Sequence, residues 1–442
     1  MRIRFARLRD AFWFVPLLLV IAGIVLAEVL VAVDRHLNRH LSGGWGLLTF
    51  HVGVSGGRDI LGTIGGSMLA VAATSFSITI SVLATASSTY GPRLVRNFMN
   101  DRGNQVVLGM FGATFVYSLM VLRSIRGGAS VEADFVPDLA INVAVLLAVI
   151  DVLVLVYFIN HIAASIQVST LSARVRSELD AVVTNLYPAE QPDNAQAAPT
   201  PAGGRAIIAK ASGFVVGIDE TRLLRTAGRC DAILAVRVRP GDHVVSGDVI
   251  ASVHPSDPHT GNVDDDTFES VETTTCRTIE LGDTRTPHQD IQFAVQQLTE
   301  MAVRAVSPGT NDPYTAHNAL NELAAGLVPL VRRPTPDLGR VDSDGTVRLI
   351  VTRLPATELI DDVFNAMRTY ALDAPIAMTA AILLARRLGQ AAHDDVVRDR
   401  VMHHLELIDA SLSRVEDREN AEFMHGEIVE ARQAVIAAAS SD

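Results

Sequence analysis

The sequence predicts an α-helical membrane domain with four transmembrane helices, followed by a cytoplasmic α+β region with a small β-sandwich module and a helical C-terminal part. Three observations lead to this fold class. Apolar residues make up 49% of the 442-residue chain, and charged residues only 19%. The apolar excess lies in the first part of the chain, in four runs that are each long enough to cross a bilayer. Beyond them, short β-rich runs alternate with amphipathic helical patterns.

Composition also narrows the classes of function. The net charge of −12 comes mainly from the part after the apolar runs, and this argues against nucleic-acid binding. The two cysteines, Cys230 and Cys276, are too few for a disulfide framework and lack the spacing of metal ligands. We therefore expect reduced structural thiols, and we predict neither a metal nor a cofactor.

The first transmembrane helix is predicted at residues 11–33, directly after an arginine-rich segment. A cleaved signal peptide would have a shorter apolar segment and a cleavage site between small residues, so we expect a retained helix. The polar segment that follows holds His36 and His40, four residues apart on one helix face. A metal site would need a third ligand that nothing specifies, so solvated interfacial residues are the preferred interpretation.

The second helix is predicted at residues 60–88, and it carries hydroxyl side chains at three- and four-residue steps, which place them on one face. We call these residues the hydroxyl stripe: Thr74, Ser77, Ser81, Thr85 and Ser88. A polar face in a bilayer points at other helices or at water. Helix–helix packing through small residues and a hydrated path both remain open, and both hold if the helix lines an oligomer axis.

The third and fourth helices are predicted at residues 105–122 and 139–166. Gly109 and Gly112 permit a neighbouring helix to approach the third helix closely. A basic turn at residues 91–104 separates the second helix from the third. Arginines are more frequent in the segments on the side of the membrane that holds this turn and the N-terminus than in those on the opposite side. By the positive-inside rule, we expect a protein that crosses the bacterial inner membrane four times and has both termini in the cytoplasm.

Asp151 lies near the middle of the fourth helix, about 18 Å along it at 1.5 Å per residue. A lone carboxylate at that depth costs at least about 2.5–3.5 kcal/mol on insertion scales. We expect it to be protonated, hydrogen-bonded or in a wet cavity, with Thr74 and Ser77 as its first candidate partners. An ion or proton site and a neutral carboxyl group that joins two helices both remain open. Asn160 and His161 are assigned an interfacial anchoring role.

A linker is predicted at residues 188–204, which are rich in proline, alanine and glycine, after a membrane domain at 1–187. Residues 205–282 then change to short β-rich runs. The strings SGFVVGID and PGDHVVSGDVIASV resemble the small β-sandwich of lipoyl- and biotinyl-type domains. Those carriers need a modifiable lysine on an exposed hairpin, whereas Lys210 precedes a Ser-Gly turn. A structural or assembly module is therefore expected.

The last region, residues 283–442, is predicted as an α/β to α-rich cytoplasmic domain. Before it, the acidic run Asp264–Asp266 lacks the spacing of an EF-hand loop, so a solvated loop is preferred over a cation site. Asp312 precedes Pro313 as a helix N-cap, which explains it without any other function. Strands are predicted at 273–281 and 346–354, and helices at 288–306, 356–369, 375–388 and 394–439. No catalytic motif is present, so an enzyme is not predicted.

Two long strings carry a family resemblance. They are SSTYGPRLVRNFMNDRGNQVVLGMFGATFVYSLMVLR at 87–123 and TRTPHQDIQFAVQQLTEMAVRAVSPGTNDPYTAHNAL at 284–320. With the SGFV and PGD segments, they resemble the bacterial predicted integral membrane proteins catalogued as domain of unknown function 2254, over nearly the whole chain. The family-motif positions are Arg93, Asn97, Asp101, Gln105, Asp290, Ser307, Pro308, Asn311, Asp312 and Thr315. Thr310 departs from the aliphatic residue expected in relatives. The resemblance implies location and architecture, and no activity.

Two hypotheses about function follow. The first is an oligomeric ion channel or ion-conducting pathway with a cytoplasmic regulatory domain, motivated by the hydroxyl stripe, the glycine-rich second helix and Asp151. The second is a non-conducting membrane scaffold or sensor whose cytoplasmic domain binds a ligand or a protein partner, motivated by the motif at Ser307–Thr315. The expected partners are the lipid bilayer, further copies of the chain, and an ion or small ligand. Small-conductance mechanosensitive channels are similar in architecture, but fold alone does not give function.

Overall fold

The computed structural model describes residues 13–40, 52–90, 101–126, 135–165, 167–190, 195–199, 201, 203–256, 263–336 and 338–440. The chain divides into two compact units, Met1–Thr170 and Leu171–Asp442. The first unit is helical, and the second combines helices with two β-sheets.

Four helices of the first unit are long and apolar enough to cross a membrane. They are α1 (Phe14–His40), α2 (Val54–Tyr90), α3 (Arg102–Ser124) and α4 (Asp138–Ser165). These helices overlap the four predicted apolar runs, and α1 continues to His40, beyond the predicted end at residue 33. α2 begins at Val54 rather than at residue 60, and its polar first turns are accommodated because Arg58 donates a hydrogen bond to the Ile125 carbonyl (3.4 Å).

α3 is the central helix of the first unit and packs against α1, α2 and α4. Its close approach to α1 depends on Gly109, where an added Cβ would lie 2.6 Å from Leu19 Cδ1 and 2.9 Å from Pro16 Cα. Tyr117 of α3 is fully buried, and its hydroxyl donates a hydrogen bond to the Ala140 carbonyl of α4 (2.8 Å). Small residues and close packing therefore hold these helices together, as is typical of membrane bundles.

The second unit contains α5 (Val168–Leu186), which begins at the end of the first unit, and two β-sheets. The strands are β1 (Ala195–Gln196), β2 (Arg205–Ile208), β3 (Gly213–Ile218), β4 (Ala232–Val236), β5 (His243–Val244), β6 (Val249–Pro255), β7 (Ile279–Gly282), β8 (Gly339–Val341) and β9 (Val347–Ile350). Six strands form one sheet in the order β1-β8-β9-β4-β6-β2, and three form another in the order β5-β3-β7.

The helices of the second unit after α5 fall between and beyond the strands. They are α6 (Glu220–Arg229), α7 (Asp265–Thr278), α8 (Ile291–Ala305), α9 (Pro313–Val331), α10 (Ala356–Tyr370), α11 (Pro375–Ala391), α12 (Asp395–Ser411) and α13 (Arg418–Ala439). The larger sheet buries Leu234, Val253 and Leu349 against α6 and α7. The unit is therefore an α+β body with a mixed sheet, followed by a helical C-terminal part.

The separate β-sandwich expected at residues 205–282 is not confirmed. β4 pairs in parallel with β9, which lies beyond that range, and β3 pairs with β5 and β7 in the smaller sheet. Two helices, α6 and α7, also interrupt the range. The pairing of β4 with β9 joins residues far apart in the chain, and local β patterns carry no signal for such a contact.

Three local expectations in the second unit are corrected. The acidic run starts α7 rather than forming a loop, because Asp264 accepts a hydrogen bond from Thr267 N (2.8 Å) as its N-cap. Most of the predicted strand at 273–281 is the end of this helix. The predicted long helix at 394–439 is two helices, α12 and α13, with a 3₁₀ turn at Leu412–Arg414 and a new N-cap at Asp417.

Candidate functional site

Asp151 lies on the packed face of α4, inside the first unit. Its side chain is only 1% exposed, and neither carboxylate oxygen has a hydrogen-bond partner among the described residues. The side chain of Thr114, on α3, lies close enough to interact with this carboxyl group, although the pair does not meet hydrogen-bond geometry. Burying a carboxylate without a hydrogen bond is energetically unfavourable. A bound proton, a bound ion or water is therefore needed to stabilise Asp151 at this depth.

A second buried hydroxyl, Ser118, lies one helical turn beyond Thr114 on the same face of α3. Its oxygen has no hydrogen-bond partner among the described residues. Here α2 comes close, because a Cβ added at Gly65 would lie 3.6 Å from the Ser118 Cβ. We call Asp151, Thr114 and Ser118 the central cluster. Apolar side chains pack on both sides of it along the bundle, around Tyr117 on one side and Phe111 on the other.

Another polar group lies at the N-terminal end of α3. Asp101 caps this helix by accepting a hydrogen bond from Gly103 N (2.7 Å), and its other carboxylate oxygen lies 3.1 Å from His161 Nε2 of α4. Gly103 permits this contact, since a Cβ there would lie 2.9 Å from the same nitrogen. Asn104 is 1% exposed, and both polar atoms of its amide lack partners among the described residues. We call Asp101, Asn104 and His161 the end cluster.

The two clusters are separated along the bundle. Asp151 and His161 are ten residues apart on α4, which corresponds to about 15 Å. Between them lie the fully buried rings of Phe111 and Phe158, with Val107 beside them. The interior therefore alternates a polar site, an apolar layer and a second polar site that reaches the end of the bundle.

The hydroxyl stripe does not face this interior. Thr74, Ser77, Ser81 and Thr85 are exposed on the single chain, and the Ser88 side chain lies outside the described ones. The Thr74 hydroxyl donates to the Ala70 carbonyl of its own helix (2.9 Å). The expected partnership of Thr74 and Ser77 with Asp151 is therefore wrong, because the packed face of α2 is rotated away from the stripe.

Thr114 and Ser118 were not candidates from the sequence. The signal that could have found them is the four-residue spacing of two hydroxyls within an apolar helix that also carries Gly109 and Gly112. His161 has a closer contact than the anchoring role predicts, because it pairs with Asp101, one of the predicted motif positions.

Comparison with known proteins identifies the family of this chain and two of its relatives. A family model described as a predicted membrane protein, DUF2254, matches residues 9–386. The chain belongs to this family. Uncharacterized proteins of Mycobacterium bovis and Mycobacterium tuberculosis are each 30% identical to it over 360 residues, which cover 79% of this chain and 67% of the relative. No solved structure matches the chain.

One of the predicted motif positions, Asp290, lies in the second unit and makes several hydrogen bonds. It caps α8 by accepting a hydrogen bond from Phe293 N (2.9 Å), and it receives two more from Arg285 (2.6 and 2.7 Å). Gly241 of the PGD turn has a positive φ of 98°, and a Cβ there would overlap the Asp290 carboxylate. The turn and the motif residue are thus packed against each other.

The DUF2254 string at Ser307–Thr315 connects α8 to α9. Asp312 caps α9 by accepting hydrogen bonds from Thr315 N (3.0 Å) and from the Thr315 hydroxyl (2.6 Å), and these bonds lower the pKa of Asp312 below its ordinary value. Asn311 takes the left-handed conformation (φ 48°), and the Ser307 hydroxyl donates to the Arg304 carbonyl (2.7 Å). The geometry is that of a tight helix–helix connection.

The remaining predicted motif positions fall within the range of the first unit. Gln105 is buried at the start of α3, beside the end cluster, whereas Arg93 and Asn97 lie outside the described residues. Within the part of the chain that the structure describes, no group of three or more His, Cys, Asp or Glu side chains is placed to hold a metal ion. Cys230 and Cys276 are free thiols.

Proposed function

We propose that the protein is an ion-conducting protein of the bacterial inner membrane, with both termini in the cytoplasm and Asp151 as the group that binds the ion within the bilayer. The observation that carries the proposal is the burial of the Asp151 carboxyl group, 1% exposed, without a hydrogen bond to either oxygen among the described residues. An ionisable residue at such a position in a membrane helix is by default a functional group.

Two features of the surrounding helices support this role. A purely structural carboxyl group would be expected to donate and accept hydrogen bonds between helices, whereas among the described residues only the Thr114 side chain interacts with Asp151, and neither of its oxygens has a partner with good hydrogen-bond geometry. The two hydroxyl side chains of the central cluster, Thr114 and Ser118, also lie on the face of α3 that packs inside the bundle, so they provide oxygen atoms at mid-depth. A buried polar site of this kind lowers the stability of the helix bundle, so a function in ion binding is the better explanation of its presence.

The hydroxyl stripe supports a homo-oligomer as the conducting form. Its described side chains are exposed on a single chain, while small and hydroxyl-bearing faces of membrane helices favour contact with another helix. A further copy of the chain is the partner that the proposal requires, together with the lipid bilayer.

The test is ion flux in liposomes that contain the purified full-length protein. We expect the wild type to conduct under an applied voltage, and Asp151→Asn to reduce the flux by about tenfold or more, because the charge-bearing group is lost. Asp59→Asn is the matched control, since it removes a carboxylate from an exposed position of α2 and should leave flux unchanged. A wild type without flux, or equal flux in Asp151→Asn, would overturn the proposal.

A second candidate function is a non-conducting sensor, and one observation favours it. The second unit has an open cleft of about 580 Å³ lined by polar residues that include Asp219, Glu220, Glu280, Gln289, Arg340 and Arg353. Arg353 is largely buried there and hydrogen-bonds to Glu220. If liposomes show no flux, while inorganic phosphate or a nucleotide raises the melting temperature of the wild type but not of Arg353→Gln, the sensor function is favoured.

A further inference from the structure

We infer that the ion at Asp151 is a proton, held there as a neutral carboxylic acid, and that the His161–Asp101 pair exchanges it with water at the N-terminal end of α3. This inference rests on the proposed function, because it names the ion that the same site would carry. Three independent features of the first unit lead to it: the small number of oxygen ligands, the position of the charged residues, and the geometry of the end cluster.

The first feature is the small number of oxygen ligands around Asp151. A dehydrated hard cation is held by about six oxygen atoms. The polar side chain that approaches Asp151 among the described residues is Thr114, and the next along the same face of α3 is Ser118. The flanking groups are the apolar clusters around Tyr117 and Phe111. A proton needs a single oxygen, so the site fits a proton and not a metal cation.

The second feature is the absence of a counter-ion at this depth. In the described parts of the helices packed against α4, most charged side chains lie toward the ends: Asp34 and Arg35 on α1, Arg58 and Asp59 on α2, and Arg102 and Arg123 on α3. Glu28 lies in the middle of α1, but it is an anion, is exposed and is paired with Arg123, so it is not a counter-ion for Asp151. On α3, Arg123 is nine residues from Thr114 and Arg102 is twelve, or about 14 and 18 Å. Without a nearby cation, protonation is what removes the negative charge from a buried carboxylate.

The third feature is the end cluster, which combines a protonatable pair with access to water. The side chains of His161 and Asp101 are 25% and 19% exposed, and the atoms that join them are 3.1 Å apart. Imidazole is the side chain that exchanges protons near neutral pH. Asn104 is buried and lies three residues after Asp101 in the sequence. Its amide nitrogen and oxygen have no hydrogen-bond partner among the described residues, so they could bind a bridging water.

The proton transfer balances in two steps. A hydronium ion at the end of the bundle gives its proton to neutral His161 and leaves as water, and the imidazolium that forms is paired with the Asp101 carboxylate. The imidazolium then gives this proton, through water, to the Asp151 carboxylate, which becomes a carboxylic acid while His161 returns to its neutral form. The rings of Phe111 and Phe158 lie between the two groups, so the second step requires water to cross this layer and is the slow one.

The test is infrared spectroscopy of the full-length protein in liposomes, which reads a protonated carboxyl group directly. We expect a carboxylic-acid C=O band that is present in the wild type and in Asp59→Asn, and absent from Asp151→Asn. We expect the band to persist in His161→Gln, but its hydrogen–deuterium exchange to be slowed at least about tenfold, because the exchanging group is lost. Asp101→Asn should slow it less, since the imidazole remains.

Each outcome decides one claim. A wild-type spectrum identical to that of Asp151→Asn would show an ionised carboxylate and overturn the proton site; if Asp151→Asn does not fold, Asp151→Glu replaces it, and the band must then shift. Exchange in His161→Gln as fast as in the wild type would overturn the role of the end cluster. Because these readouts need no ion flux, a correct band without flux defeats only the proposed function, whereas flux of sodium or potassium without protons defeats only this inference.

Discussion

At the scale of single residues, two glycines of the second unit adopt a left-handed backbone conformation. Gly241 has a left-handed φ of 98° and faces Asp290 without room for a Cβ. Gly247 has a similar φ of 102°, but an added Cβ there would meet no atom within 4 Å. Substitutions at Gly241 and Gly247 therefore separate the free-energy cost of the left-handed conformation from the cost of the contact with Asp290.

Gly241→Ala should therefore destabilise the second unit more than Gly247→Ala does. We expect a loss of about 2–4 kcal/mol for the first, because strain and overlap with Asp290 add together, and about 1 kcal/mol for the second, from strain alone. Thermal unfolding of the full-length proteins followed by circular dichroism measures both. Equal melting temperatures would show that the Gly241–Asp290 contact adds nothing.

Asp312 provides a pH-dependent contribution. Hydrogen bonds from Thr315 depress the pKa of the folded carboxyl group, so its stabilisation is present above the unfolded value of about 3.9 and is lost as the pH falls through the folded value. We expect Asp312→Ala to cost about 0.5–2 kcal/mol at pH 7. The difference from the wild type should shrink below about pH 4, whereas Asp312→Asn, which also caps, should show a smaller loss.

At the scale of elements, the described part of the first unit is organised around α3. The sequence predicts this helix and the role of Gly109, because small residues in an apolar run mark close helix contacts. It does not predict which face of α2 packs inward, since both the stripe and the opposite face carry small or hydroxyl residues, such as Ser75 and Thr79. The partner of Asp151 is therefore misassigned although its burial is expected.

Gly109→Ala tests the packing of α3 on α1. The added methyl group would meet Leu19 and the backbone of Pro16, so we expect a clear drop in melting temperature in detergent, equivalent to about 1–3 kcal/mol. Gly66→Ala is the matched control, because a Cβ there meets no atom within 4 Å and alanine is a better helix former. A control that is destabilised as much as Gly109→Ala would contradict this account of the interface.

In the second unit, long apolar and capped segments are predictable and distant pairings are not. The start of α9 follows from Asp312 and Pro313, whose capping role is visible in the sequence. The break between α12 and α13 is missed, because Asp417 follows a helix-compatible pattern and acts as an N-cap only after the preceding turn has formed. The β4–β9 pairing depends on tertiary contacts that no local pattern encodes.

At the scale of the whole molecule, the chain belongs to the DUF2254 family, and its described residues form a unit with four membrane-length helices and an α+β unit. The chemistry that stands out in the first unit is a polar interior: a central cluster at mid-depth and an end cluster that reaches water. Buried polar groups of this kind reduce the stability of a bundle unless they are satisfied. Their use in ion movement is the central claim.

Proton flux into liposomes, compared among the wild type, Asp151→Asn and Asp151→Glu, tests that claim most directly. The account predicts flux in the wild type, a loss of about tenfold or more in Asp151→Asn, and substantial recovery in Asp151→Glu, because the second variant restores a carboxyl group at the same depth. Flux that is the same in Asp151→Asn as in the wild type, or that is absent from all three well-folded proteins, would contradict it.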